Sequence, residues 1–342
     1  MTALQRRVAV APMMDWTDRH CRYFLRGFGP DILLYTEMIT AQAIVRGEHE
    51  RLLRFSPEEH PVALQLGGSD PELLARAAEL GAAAGYDEIN LNCGCPSERV
   101  QSGTFGACLM LDPGRVADCV RAMRAALNVP VTVKMRIGVI GAGEGATRER
   151  VARFDERDYQ RLAAFTAEVM AAGCGVFIVH ARAAVLGGLS PKENREVPPL
   201  RPEVVRRLKG QFHELDIVLN GGVRTLAQAE AALDWCDGVM LGREAYHRPA
   251  VLGELQRRFG TTDSRPLTET QMLERMARYA EAEMRRGEPL SVITRHMLGL
   301  YAGRPGAREF RRLLSEGARA PGATAELLRM AGRAVAADRA VA

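Results

Sequence analysis

Residues 217–243 read IVLNGGVRTLAQAEAALDWCDGVMLGR. A short apolar run, 217–219, stops at Asn220-Gly221-Gly222, Thr225 offers a capping side chain before a helix-like segment at 226–235, and a second apolar run, 239–241, stops at Gly242-Arg243. Strand, helix, strand is the repeating unit of a parallel sheet. Working outward, six more β-prone runs lie at 8–11, 32–34, 62–66, 88–91, 131–135 and 176–179. Helix-like segments at 71–85, 113–127, 155–173 and 202–209 separate most of the later ones. Asp70 and Asp112 stand ahead of Pro71 and Pro113 as N-caps, and Gly85 and Gly173 fall where C-caps belong. Eight alternating units favour an α/β fold of the closed kind, a (β/α)8 or TIM barrel, over an open doubly wound sheet.

The barrel is expected to fill residues 1–259, with a linker at 260–266 and a small all-helical domain at 267–342, its helices at 272–286, 291–301, 307–316 and 325–337. With 47% hydrophobic and 26% charged residues the chain reads as an ordinary globular protein, which excludes disorder. No apolar run approaches the roughly 20 residues of a membrane span. The first seven residues lack the apolar core of a leader, so the expected location is the cytoplasm. Seven scattered cysteines argue against a disulfide framework, and the one-residue spacing of Cys93 and Cys95 is not that of a zinc motif, so no metal site is expected. The net charge of +4 is uneven: residues 265–342 hold 14 Arg against 9 Asp or Glu, a balance of +5. A basic appendage on a near-neutral body suits a polyanion such as RNA.

Barrel enzymes build their sites on the loops that follow the strands. Here the runs end on Pro12-Met13-Met14, Thr36-Glu37, Gln65, Asn90 and Asn92, Lys134 and Arg136, His180 and Arg182, Asn220-Gly221-Gly222 and Gly242-Arg243. The last two clusters, after strands seven and eight, match the position of a phosphate site and point to a phosphorylated cofactor. Lys134 would bring a cation to the N1 and O2 edge of a flavin, stabilising its reduced, anionic form. Asn92 offers an amide suited to a pyrimidine edge. Cys95 carries a thiol that is mostly protonated at neutral pH and so suits a general acid. Arg136 and Arg182 lie close enough to the active face to meet a phosphate. Cys108, Cys119, Cys174 and Cys236 read as small buried hydrophobes.

The strings VAPMMDWTDRHCRYFLR, LLYTEMITA, VALQLGG, INLNCGCPSERVQSGTFGACLM, TVKMRIG, VHAR, LSPKENREVPPL, NGGVR and DGVMLGREAY resemble the tRNA-dihydrouridine synthase family, its A-type branch above all. The resemblance spans residues 8 to 258 and resumes at 293–300. It implies that Cys95 protonates C5 of a uridine while reduced FMN delivers hydride to C6, and that NADPH reloads the flavin. It further implies that Pro12, Met13, Met14, Gln65, Lys134, His180, Asn220, Gly221, Gly222, Gly242 and Arg243 hold FMN and that Asn92 contacts the base. Arg182 joins the substrate side. Lys192, Arg195, Arg308 and Arg311 resemble positions that contact tRNA, in the D-loop around position 20. A monomer suffices for such a substrate.

Two features depart from the family pattern. Residues 138–154 make a longer loop after the fifth strand, read as a tolerated surface insertion ahead of a mobile lid or an extra RNA contact, and Cys93 adds a second thiol beside the acid that would partly substitute for it or crosslink with it under oxidation. Two other readings compete. An FMN barrel acting on a free pyrimidine has no use for an Arg-rich helical module; an RNA-binding protein without catalysis would not need Cys95, Lys134 and His180 together.

Overall fold

The computed structural model describes residues 4–97, 105–141, 147–261 and 265–341. Eight parallel strands close into a barrel: β1 (Val8–Val10), β2 (Leu33–Thr40), β3 (Val62–Gly67), β4 (Glu88–Cys93), β5 (Val131–Arg136), β6 (Val176–His180), β7 (Asp216–Asn220) and β8 (Gly238–Leu241). Each pairs with the next, and β8 pairs with β1 through Val8↔Val239 and Val10↔Leu241. Helices α1 (Arg19–Arg26), α2 (Ala41–Arg46), α3 (Pro71–Ala83), α4 (Pro113–Ala126), α5 (Glu156–Ala171), α6 (Pro202–Gln211) and α7 (Leu226–Leu233) follow β1 to β7 in turn. After β8 come α8 (Arg243–His247) and α9 (Ala250–Phe259).

The expected caps form: Asp70 accepts from Leu73 N–H, Asp112 from Arg115 N–H and Thr225 from Gln228 N–H. Gly85 and Gly173 take left-handed φ values of +101° and +96° that only glycine adopts cheaply. Packing follows the helical period: α3 buries Leu74, Ala77, Ala78 and Gly81 on one face. A Cβ at Gly81 would stand 2.5 Å from Leu64 Cδ2, so the small residue sets how closely α3 lies on β3. Burying a side chain such as Leu64 or Leu74 contributes about 1.5–3 kcal/mol.

Two expectations for the barrel change. β2 runs on to Thr40 because its register against β3 shifts between Tyr35 and Met38, which absorbs Thr36 and Glu37 into an irregularity instead of ending the strand. The long loop after β5 is partly ordered: Val139–Ile140 pairs with Ala184–Val185, and Arg148–Ala152 forms a helical turn. Residues 142–146 of that loop lie outside the described residues.

The C-terminal region contributes α10 (Glu269–Arg285), α11 (Leu290–Thr294), α12 (Ala307–Gly317) and α13 (Glu326–Val341). Of the expected linker, residues 262–264 lie outside the described residues; its ends are tied to the barrel by Thr261 N–H to Asp31 (2.8 Å) and Leu267 N–H to the Gly27 carbonyl (2.9 Å). α11 stops at Thr294, well short of the expected 301. Past it Arg295 and His296 turn to Asp18 (2.7 and 3.0 Å), and Gly299 packs where a Cβ would be 2.5 Å from the His247 carbonyl oxygen. These contacts with α1 and α8 outweigh helix continuation. Among the described residues no helix is long and apolar enough to cross a membrane, and no cluster of His, Cys, Asp and Glu is arranged to hold a metal ion.

Candidate active site

Side chains alternate across a strand, so every second residue of β4 and β5 enters the barrel. Register then sets the site residues side by side at the C-terminal rim: Asn92 is partnered with Lys134, Arg136 with His180, and His180 with Asn220. Below them runs a buried chain of hydrogen bonds. Asn92 Nδ2 donates to Gln65 Oε1, Gln65 Nε2 to Asn90 Oδ1 and Asn90 Nδ2 to Thr132 Oγ1, each at 2.8 Å. Thr132 and Tyr35 donate to Glu88 Oε1 (2.7 and 2.5 Å), and Arg6 donates to Glu88 Oε2 (2.8 Å). Buried amides are expensive unless paired, and here each holds the next in one orientation.

Cys95 sits half-buried on the loop beyond β4. Asn92 Oδ1 accepts from the backbone N–H of both Gly94 and Cys95 (3.0 Å each), and the Cys95 carbonyl accepts from Ala107 N–H (2.8 Å). The loop that aims the thiol is therefore fixed by the same asparagine that the sequence offered to a base. With its oxygen committed, Asn92 keeps one Nδ2–H for any further contact. Cys93 cannot stand in for Cys95: it is fully buried on the outer side of β4, in the core shared with the helices, and burial pushes its thiol well above the usual range.

Positive charge gathers beside this loop, on β5 and the segments that follow it. Burial, reinforced by Arg136, pushes Lys134 down to about 8, and its ammonium has no partner among the described residues. His180 is held well below its ordinary value by burial and by Arg136, Lys134, Arg182 and Arg195, and its Nδ1 is buried without a partner. Arg195 is lowered by burial and by Arg243, and Arg182 by burial, Arg243 and Arg224. Arg243 pairs with Glu196 (3.0 Å). So many cations with one carboxylate among their partners make a field that an anion would relieve. Arg136 differs from expectation. It donates from Nε and Nη1 to the carbonyls of Gly94, Ala183 and Asn194, a task the sequence did not announce.

Between β7 and β8 the backbone is bare. Gly221 and Gly222 have φ of +98° and +88°; a Cβ at Gly222 would lie 2.4 Å from Leu200 Cδ2, and one at Gly221 3.1 Å from His180 Nε2. Asn220 Nδ2 ties the two strands by donating to the Met240 carbonyl (2.8 Å). Gly242 leads directly into α8. On the β1 side, Met13 is half-buried and Met14 is 56% exposed. The turn after Pro12 is held by Thr17 Oγ1, which accepts from Met13 N–H (2.9 Å), and by Glu37, which accepts from Asp15 N–H. Among the described residues Asp15, with φ of +64°, is the non-glycine residue in the left-handed region. Gln65 is buried beneath this layer.

Lys192 and Arg195 are exposed on the short turn Glu193–Arg195 beside the mouth. Arg308 and Arg311 are exposed on α12 with no carboxylate partner among the described residues, whereas Arg312 pairs with Glu309 (2.6 Å) and Glu316 (3.4 Å). Sequence reasoning missed the junction with the helical region: Trp16 stacks on Tyr246 (4.5 Å), and the Tyr246 hydroxyl meets His296 (3.1 Å). The resemblance at 293–300 was the signal available for it. A separate groove lined by His49, Arg54, Phe55 and His60 adjoins the C-terminal end of α3, at the other end of the barrel, and gathers none of these residues.

Comparison with known proteins sharpens the picture. The family model described as dihydrouridine synthase matches residues 9–336. The chain belongs to the dihydrouridine synthase family. It is 52% identical over 327 residues to the tRNA-dihydrouridine(20/20a) synthase of Xanthomonas campestris pv. campestris, covering 96% of this chain and 93% of the relative. The proteins of the same name from Pseudomonas aeruginosa and Escherichia coli K12 are 52% and 51% identical, with 92% and 97% of this chain and 90% and 92% of theirs covered. Members of the dihydrouridine synthase family are flavin-dependent oxidoreductases that reduce uridine in tRNA. The rim's chemistry suits a flavin phosphate: Lys134 and His180 Nδ1 have no partner among the described residues, the Gly221-Gly222 turn is bare, and Arg182 and Arg243 add positive charge.

Proposed function

We propose that this dihydrouridine synthase reduces the C5–C6 bond of uridine at position 20, and 20a, in the tRNA D-loop, with FMN at the barrel mouth and NADPH as reductant, acting as a monomer in the cytoplasm. One observation carries the reading: a half-exposed thiol, Cys95, on a loop pinned by Asn92, faces a rim lined with Lys134, Arg136, His180 and Arg195. Lys134, His180, Asn220, Gly221, Gly222, Gly242 and Arg243, with Pro12, Met13, Met14 and Gln65, would hold the cofactor. When bound, the flavin supplies the hydride for C6 of the uracil.

Cys95 Sγ gives its proton to C5. The thiolate left behind is stabilised by the charges of Lys134, Arg136 and Arg195, and its half-exposure lets water return the proton. A uracil in folded RNA must leave its stack to reach the mouth, which leaves the surrounding phosphates for exposed cations. Arg182, Lys192, Arg195, Arg308 and Arg311 are suited to that task, and Asn92 keeps one N–H for the base.

The test is mass spectrometry of D-loop fragments from cells lacking this protein, complemented with wild type or Cys95→Ala. Wild type should restore the mass of two hydrogen atoms at position 20 or 20a, and Cys95→Ala should not. If wild type restores nothing, the tRNA reading fails and a free pyrimidine becomes the better substrate.

A further inference from the structure

Arg136 is buried, and its guanidinium pairs with no carboxylate among the described residues. It donates Nε–H to the Gly94 carbonyl (2.9 Å) and Nη1–H to the carbonyls of Ala183 (3.1 Å) and Asn194 (2.9 Å). These acceptors belong to three segments: the loop ending in Cys95, the loop after β6, and the turn carrying Lys192 and Arg195. Both outer segments are stiff. Gly94 N–H is held by Asn92, and the buried Asn194 side chain accepts from Val185 N–H (2.8 Å) and donates to the carbonyls of Val185 and Leu189 (3.1 Å each). A planar guanidinium with fixed donors passes displacement between rigid acceptors with little slack.

We propose that Arg136 is a positioning residue that couples the turn bearing Lys192 and Arg195 to the Cys95 loop, so that RNA phosphates seated on the turn set where the thiol stands. The coupling rests on the carbonyl geometry alone; its use in turnover rests on the RNA reading above.

The experiment uses the full-length flavin-loaded protein without RNA and measures alkylation of Cys95 by iodoacetamide, with free glutathione in the same reaction as reference, by peptide mass spectrometry. Arg136→Lys keeps the charge and loses the fork. Asn194→Ala loosens the turn from its far side, two hydrogen bonds away from Gly94. Both substitutions should change the Cys95 rate relative to glutathione by about fivefold or more. A Cys95 rate within about twofold of wild type in Asn194→Ala overturns the coupling, and that variant decides the matter if Arg136→Lys does not fold. With tRNA, Arg136→Lys should lower kcat by about tenfold or more while KM moves less than about threefold; a rise in KM alone also overturns it. A wild type that reduces no tRNA uridine sinks the function reading, and the alkylation rates still decide the coupling.

Discussion

Lys134 keeps an ammonium in a buried site beside Arg136, and the ligand-free protein is less stable for it. Its folded value of about 8 lies below the ordinary 10.5, so the unfolded chain holds the proton where the folded one has released it. Stability of the ligand-free protein therefore rises with pH between about 8 and 10.5, and the penalty is full below 8. Lys134→Met should raise ligand-free stability at pH 7 by on the order of 2 kcal/mol and, in the same melting experiment, abolish the gain from added FMN. Gly222→Ala should lose flavin affinity by about tenfold or more, read by fluorescence titration, because its Cβ would collide with Leu200 at a left-handed backbone position. Lys134, His180 and Asn220 were legible because each closes an apolar run. Arg136 was visible as a residue but not in its role, since its acceptors lie 42, 47 and 58 positions away, and no local pattern marks a carbonyl at such separations.

The docking of α10 on α1 shows what helix periodicity alone does not convey. Tyr23 stacks on Tyr279 (4.0 Å), Arg275 lies over the Tyr23 ring (4.3 Å), Arg19 meets Glu283 (2.5 Å) and His20 meets the Tyr279 hydroxyl (2.8 Å). Burial pushes His20 down to about 4 from 6.5, so it is neutral in the fold. Its contribution is complete above pH 6.5 and declines as pH falls toward 4, because the unfolded chain takes the proton first. Arg19 and Arg286 hold Glu283 below the ordinary 4.5 against the cost of its burial, so its share fades only at lower pH. The melting temperature should accordingly fall in two stages on acidification, and His20→Gln should shrink the upper stage, leaving the share that the depressed His180 contributes. Glu283→Gln should cost about 2–4 kcal/mol at pH 7 in denaturant unfolding, since it leaves the buried end of Arg19 facing an amide. The repeating strands and caps of the barrel could be read from local signals. The true end of α11 could not, because Asp18 and His247, which stop it, are far off in sequence.

Charge across the molecule is divided between arginines already neutralised and arginines that are not. Arg304, Arg312, Arg329 and Arg333 have glutamate partners, while Arg308 and Arg311 have none among the described residues. Replacing both Arg308 and Arg311 by Ala should reduce the slope of log affinity for tRNA against log salt by about one to two, while Arg312→Ala changes it by about half or less. Equal effects from all three would mean that α12 contributes a diffuse field instead of discrete phosphate contacts. The +5 balance of this region could be counted in the sequence, but which arginines remain available depends on pairings that only the fold creates.

The crowd of like charges at the mouth also bears on how long the protein survives. Whatever anion relieves that repulsion binds the folded chain alone, and at a concentration 100 times its dissociation constant it adds about 2.7 kcal/mol to stability. A chain made faster than flavin is supplied would spend more of its time unfolded and would be cleared sooner by proteases. The abundance of this reductase in a growing cell would then follow vitamin supply without any change in its transcription.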